Sequence, residues 1–294
     1  MYRNNQEKAL ADFTKAIRLG PEEAQHYYNR AILLGTRLDF DKAVADYTEA
    51  IRLNPKWVEP YHWRGDAWHK KGMYDKAIAD LTNAIRLGAR DSHVYGTRGD
   101  AWLKKKEYDK AIADLSEATK LDPKNAVTVY NRARAWLEKA EEEYGKAIAD
   151  FDEAVRLNSN DAVSYCNRGA AWRAKKDLDK AIVDFNEAIR IDPDDPYPYD
   201  ARAWIWATCP DEKYRDGKRA VESATKACEL TNWNNPDYLE TLAAAYAETG
   251  DFDSAVKWQA KANELRAEDE DKTDGESRLK LYEEKQPFRD DDSH

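Results

Sequence analysis

The chain has 294 residues, of which 42% are hydrophobic and 35% charged, and its formal net charge is −10. That acidity argues against a nucleic-acid track, and no apolar run approaches the length needed to insert in a membrane. Cys166, Cys209 and Cys228 form neither a CxxC pair nor an even-numbered disulfide framework.

One alanine returns at a nearly constant step, at Ala9, Ala43, Ala77, Ala111, Ala147, Ala181, Ala220 and Ala255. Self-similarity at such a period marks a stack of like helical units, each burying its apolar face against its neighbours. In chain order, residues 1–23 supply the second helix of an incomplete repeat. Seven repeats then fill 24–265, starting at 24, 58, 92, 126, 162, 196 and 236. Within each repeat, positions 4, 8 and 11 share one helical face, and positions 20, 24 and 27 share a face of the next helix. Position 8 is small (Ala31, Gly65, Gly99, Ala133, Gly169, Ala203, Ala243), as a close crossing of two helices requires. Position 11 is mostly tryptophan, from Trp68 to Trp206, which makes Trp206 a core residue. Asn54-Pro55, Asp122-Pro123 and Asp192-Pro193 stop second helices, because proline disfavours helical geometry in the residue before it.

These positions resemble the consensus of the tetratricopeptide repeat (TPR). The resemblance implies an all-α TPR α-solenoid, a right-handed superhelix of antiparallel helix pairs whose first helices line a concave groove. Two departures stand out. The fourth repeat has two extra residues around Ala140–Glu143, and the sixth has an insertion within Thr208–Asp216 and Ala224 where an aromatic is usual. From Trp204 to about Gln259 the wording changes, and the block looks like a terminal module of some bacterial TPR arrays.

Residues 266–294 form an acidic C-terminal tail. From 267 onward it holds eleven acids and five bases, hence −6 of the net −10. A short helix over Ser277–Lys285 would cap the last repeat with Leu279 and Tyr282, while Asp290-Asp291-Asp292 would be solvated; the tail reads as a solubility device. Lysines such as Lys71, Lys105, Lys106 and Lys176 fall at first-helix C-termini, where they complement the helix dipole and read as a solvated edge. No signal peptide is visible and the cytoplasm is favoured. The chain opens in mid-repeat, as a fragment or processed form with a missing targeting segment would.

In the TPR family, positions 2, 5, 9 and 12 of each first helix face the groove. The resemblance therefore puts Tyr28, His62, Asp66, His69, His93, Tyr130, Arg134, Arg173, Tyr197 and Trp204 on that surface as candidate partner-binding residues. Aromatics there give contact area and arginines fix carboxylates. Trp204 reads equally as ligand contact or plain packing. His62, Asp66 and His69 are spaced 4 and 3 apart, hence on one helical face, with His93 beginning the next first helix. That set has the chemistry of a zinc-type site, but polar groove residues are the favoured reading, and no metal or cofactor is assigned. Chaperone-clamp TPR domains carry Lys at position 5 and Asn at position 9; neither occurs here, so that function is not expected.

No phosphate loop, GxGxxG, HExxH or GxSxG motif is present, and the chain reads as a non-enzyme. The expected function is a protein-interaction scaffold that holds a peptide or partner protein in the groove. The alternative is self-assembly into head-to-tail homo-oligomers or filaments through open repeat ends, notably Met1–Leu19.

Overall fold

The computed structural model describes residues 2–139, 143–266 and 273–290. It divides into two compact parts, Met1–Leu157 and Asn158–His294. All regular structure among the described residues is helical.

The N-terminal part contains α1 (Tyr2–Leu19), α2 (Ala24–Thr36), α3 (Phe40–Leu53), α4 (Val58–Lys70), α5 (Tyr74–Arg86), α6 (Ser92–Lys104), α7 (Tyr108–Leu121), α8 (Ala126–Lys139) and α9 (Tyr144–Leu157). Helices pair as α2/α3, α4/α5, α6/α7 and α8/α9, and consecutive first helices also adjoin. The ladder alanines Ala43, Ala77, Ala111 and Ala147 are all 0% exposed. Crossing is closest at Gly65 and Gly99, where an added Cβ would lie 2.7 Å from Leu81 Cγ and Leu115 Cγ respectively. The second helices α3 and α7 end directly before Asn54 and Asp122, each followed by proline. The two extra residues of the fourth repeat fall mostly at 140–142, outside the described residues.

A second ladder is ionic. Arg30, Arg64, Arg98 and Arg132 donate through Nε and Nη2 to both oxygens of Asp46, Asp80, Asp114 and Asp150, at 2.6–2.7 Å. Each pair joins the two helices of one repeat by a bidentate fork. The Nη1 groups of Arg30, Arg64 and Arg98 also reach Thr14, Thr48 and Thr82 on the preceding second helix. The lysines are more than a solvated edge. Lys71, Lys105 and Lys139 bridge to Asp41, Asp75 and Asp109 of the preceding repeat. Lys71 and Lys76 both lie over Trp68, and Lys139 and Lys146 over Trp136. Lys106 serves a different purpose: at φ 60° it makes the turn that Gly72 makes one repeat earlier.

The C-terminal part contains α10 (Ala162–Ala174), α11 (Leu178–Ile191), α12 (Tyr197–Thr208), α13 (Gly217–Leu230), α14 (Pro236–Thr249), α15 (Phe252–Leu265) and α16 (Thr273–Glu283). Arg168 repeats the fork to Asp184 at 2.7–2.8 Å. The insertion of the sixth repeat folds into a 3-10 turn, Glu212–Tyr214, whose Tyr214 hydroxyl donates to Asp179 of the preceding repeat. All three cysteines are buried and free, and burial pushes the Cys166 and Cys228 thiols up to about 12. α16 packs on α15, and its Tyr282 is fully buried against Ala243, Ala247 and Ala255. Residues 273–290 of the tail are therefore packed structure rather than a solubility device. The reason is that its apolar and basic residues make most of the contacts. Arg278 pairs with buried Glu240 at 2.7 Å and Arg289 with Glu248 at 2.6 Å. Asp291 and Asp292 lie outside the described residues.

Candidate functional site

In the N-terminal part, the inner face is built from α2, α4, α6 and α8. Tyr28 packs against Trp57, with ring centroids 4.7 Å apart, and against Tyr47 at 6.1 Å. His62 stacks on Trp63 at 4.5 Å, and its Nε2 is 2.8 Å from His93 Nδ1. His93 Nε2 lies 3.7 Å from Asp66 Oδ1. His69 turns elsewhere, its Nε2 2.6 Å from Asp100 Oδ2. The four expected residues thus sort into His62–His93–Asp66 and His69–Asp100. Among the described residues, no group of three His, Cys, Asp or Glu side chains is arranged to hold a metal ion.

Burial and the neighbouring His93 lower the His62 imidazole below its ordinary value. Burial alone would raise the Asp100 carboxyl. The hydrogen bond from His69 and the charges of His69, Lys104 and Arg134 hold it below the usual range instead. Arg134 lies over the Tyr130 ring, which itself sits 6.0 Å from Phe151. Val127, one turn before Tyr130, is 67% exposed. Sequence reasoning placed it in the groove but did not select it; its apolar side chain at a groove position was the available signal.

In the C-terminal part, Tyr197 is partly exposed and meets Phe185 edge-on at 6.5 Å, with the Arg173 charge close by. Val163 on α10 is 49% exposed. Cys166, at a groove position by the family register, is buried in the core instead. Trp204 is covered by the chain itself. Its Nε1 donates to Asp290 Oδ2 at 2.6 Å, and Phe288 and Arg278 lie 5.8 Å from its rings. The Asp290 amide also donates to Thr208 O at 3.0 Å, and Arg289 Nη1 reaches Ala207 O. Groove positions Glu240, Ala244 and Ala247 are also buried, Glu240 beneath Arg266 and Arg278 and Ala244 against Trp206 and Ala220.

Tetratricopeptide-repeat models match residues 1–56, 28–91, 92–125, 162–195 and 236–269. The chain belongs to the tetratricopeptide-repeat family. Its TPR helix pairs recur in solved structures. YrrB, described as a TPR protein with an unusual peptide-binding site, is 25% identical with a TM-score of 0.60, covering 65% of this chain and 97% of its own. The C-terminal part of a TPR repeat-containing protein from Cytophaga hutchinsonii is 18% identical with a TM-score of 0.64, covering 84% and 98%. MamA residues 41 to the end from Desulfovibrio magneticus is 22% identical with a TM-score of 0.55, covering 58% and 95%. No curated protein matches the chain significantly. The TPR fold and its relatives make the chain a protein-interaction scaffold.

Proposed function

We propose that this TPR scaffold is non-enzymatic and holds an extended peptide segment of a partner protein on the inner face of its first helices. The observation that carries the reading is internal. Phe288, Arg289 and Asp290 lie against the C-terminal ends of α12 and α14: groove residue Trp204 receives an aromatic contact and a hydrogen bond, beside one ion pair to Glu248 and hydrogen bonds to the Ala207 and Thr208 carbonyls. A face that accepts the chain's own peptide has the chemistry to accept another. The likeness to YrrB, a peptide-binding TPR protein by its description, supports the same reading. In the N-terminal part, Tyr28, His62, Asp66, His69, His93, Tyr130 and Arg134 offer such a surface, with exposed Val127 beside them; in the C-terminal part, Arg173 and Tyr197 do.

The test is selection of peptides from a random library on the full chain, followed by anisotropy titration of the selected peptides. Tyr28→Ala, Tyr130→Ala and Arg134→Ala should each weaken binding by about tenfold, or ~1.4 kcal/mol. Equal affinity for all three variants and the parent would remove the inner face as the binding surface.

One observation favours a second reading, self-assembly. Ala9 on α1 is only partly buried, whereas its counterparts in the later repeats are fully buried. A first helix supplied by a second copy would cover it. Sedimentation velocity across a wide concentration range separates the readings: growth that disappears on deleting Met1–Leu19 supports assembly, and a single species throughout excludes it.

A further inference from the structure

The ionic ladder breaks at one place. Arg202 stands in the sixth repeat where Arg30, Arg64, Arg98, Arg132 and Arg168 stand in the first five, but the residue facing it is Ser223 in place of aspartate. Arg202 Nη2 donates to Ser223 Oγ at 3.0 Å and Nη1 donates to Asn186 Oδ1. Its Nε, shielded from water, meets no acceptor. In every earlier repeat that nitrogen donates to a carboxylate oxygen. A buried donor left without a partner carries a desolvation penalty that a ligand oxygen would remove.

The surroundings have the charge for such an oxygen. Like Arg64, Arg98 and Arg168, the Arg202 guanidinium lies over the tyrosine three residues before it, Tyr199, at 5.7 Å, but it also lies over Trp206, at 4.7 Å. Arg219 lies over the same indole at 4.1 Å and makes no ion pair with any described residue. Two guanidiniums therefore meet on one tryptophan, and burial together with the Arg219 charge disfavours the charged form of Arg202. Tyr199, Arg202, Trp206, Arg219, Glu222 and Ser223 line an open cleft of about 300 Å³. Glu222 pairs with neither arginine, so the cleft carries two positive charges and one negative.

We propose that this cleft binds a carboxylate, which takes the place of the missing aspartate between Arg202 and Arg219. A single negative charge matches the cleft's surplus, whereas Glu222 opposes a doubly charged phosphate. The Nε/Nη2 fork holds a carboxylate in all five earlier repeats, so the recognition geometry already exists in this chain.

The test follows the Arg202 Nε–Hε signal in arginine-edited NMR spectra of the full chain, assigned by its absence in Arg202→Lys. Acetate should shift it saturably in the millimolar range, and chloride at equal ionic strength should not. Ser223→Asp supplies the carboxylate from within: the signal should move without ligand, and its response to acetate should vanish. Arg219→Gln, a change at the cleft's edge, should weaken acetate binding several-fold and keeps the test decisive if Ser223→Asp fails to fold. A blocked aspartate tripeptide distinguishes the source. Binding at least as tight as acetate assigns the site to an acidic protein segment, and binding of acetate alone assigns it to small carboxylates. No saturable shift, a response unaltered in Arg219→Gln, or tighter binding of inorganic phosphate than of acetate would each overturn the proposal.

Discussion

Trp204 and Asp290, 86 residues apart, are joined by an indole N–H to carboxylate hydrogen bond of 2.6 Å. The bond fastens the end of the described chain to a groove position of the sixth repeat. Beside it, Arg289 reaches Glu248, and the Asp290 amide caps the Thr208 carbonyl at the end of α12.

A chain truncated after Glu284 should therefore lose these contacts together. Hydrogen bonds to charged groups contribute about 1.5–3 kcal/mol each, so amide exchange in α12 and α14 should accelerate, while α2 to α8 stay unchanged. Trp204 should become solvated, with a red shift in tryptophan emission. Unchanged exchange in α12 and α14 would mean that the tail merely rests on the surface.

Two glycines at different places on their helices should respond in opposite directions. At Gly99, a Cβ would lie 2.7 Å from Leu115 Cγ and 3.2 Å from Leu115 N. Gly99→Ala should destabilise by about 1–3 kcal/mol, the range for overpacking. Gly35 has nothing within 4 Å of such a Cβ and lies in the last turn of α2. Gly35→Ala should stabilise by about 0.5–1 kcal/mol through helix propensity. Urea denaturation of both variants measures the contrast, and destabilisation at both would show that position 35 is also tightly packed.

The helix pairs were legible because their cause is local: small residues where helices cross, and proline where they end. The contacts that populate the inner face were less legible because they cross repeats. Spacing along α4 put His62 next to Asp66 and His69, but His62 pairs with His93 and His69 with Asp100, each 31 residues away on α6. A single helical wheel contains no information about the adjacent helix's side chains. The Arg–Asp forks were written in the repeat at positions 7 and 23, and needed only the alignment of first with second helices to be read. The capping helix with Tyr282 was legible in the tail, but reading the rest as solvated charge was wrong: its eleven acids dominate any count of charge, while Arg278, Phe288, Arg289 and Asp290 make specific contacts.

Breaking one fork tests how much of the stability rests on it. Arg98 and Asp114 retain 17% and 9% side-chain exposure, so they are largely but not wholly desolvated. Removing one partner of a fully buried pair costs about 3–5 kcal/mol, because a charge remains buried and unpaired. Asp114→Ala should fall at or just below the bottom of that range, at about 2–3 kcal/mol. Arg98→Met combined with Asp114→Leu should recover most of the loss, since no uncompensated charge is left. A double-mutant cycle in urea decides it; additive losses would mean that the fork is not an energetic unit.

The two parts of the chain should respond to acid with opposite signs. Burial pushes the Asp200 carboxyl up to about 7; Asp237 adds to the rise, and Thr241 and Arg173 oppose it. Unfolded, the group titrates near ~3.9. Between those values the folded chain holds a proton that the unfolded chain has lost, so stability falls as pH rises from about 4 to about 7. His62 faces His93, Asp91, Asp66 and Glu59, and its folded value lies below the unfolded value of ~6.5. Its stability is complete above that pH and is lost as pH falls through the folded value. On moving from neutral pH to about 5, amide protection corrected for intrinsic rates should rise in α12 and α14 and fall in α4 and α6. Asp200→Asn should abolish the first change and leave the second, and His62→Gln should do the reverse. A uniform response along the chain, or one insensitive to both substitutions, would place the titrating groups elsewhere.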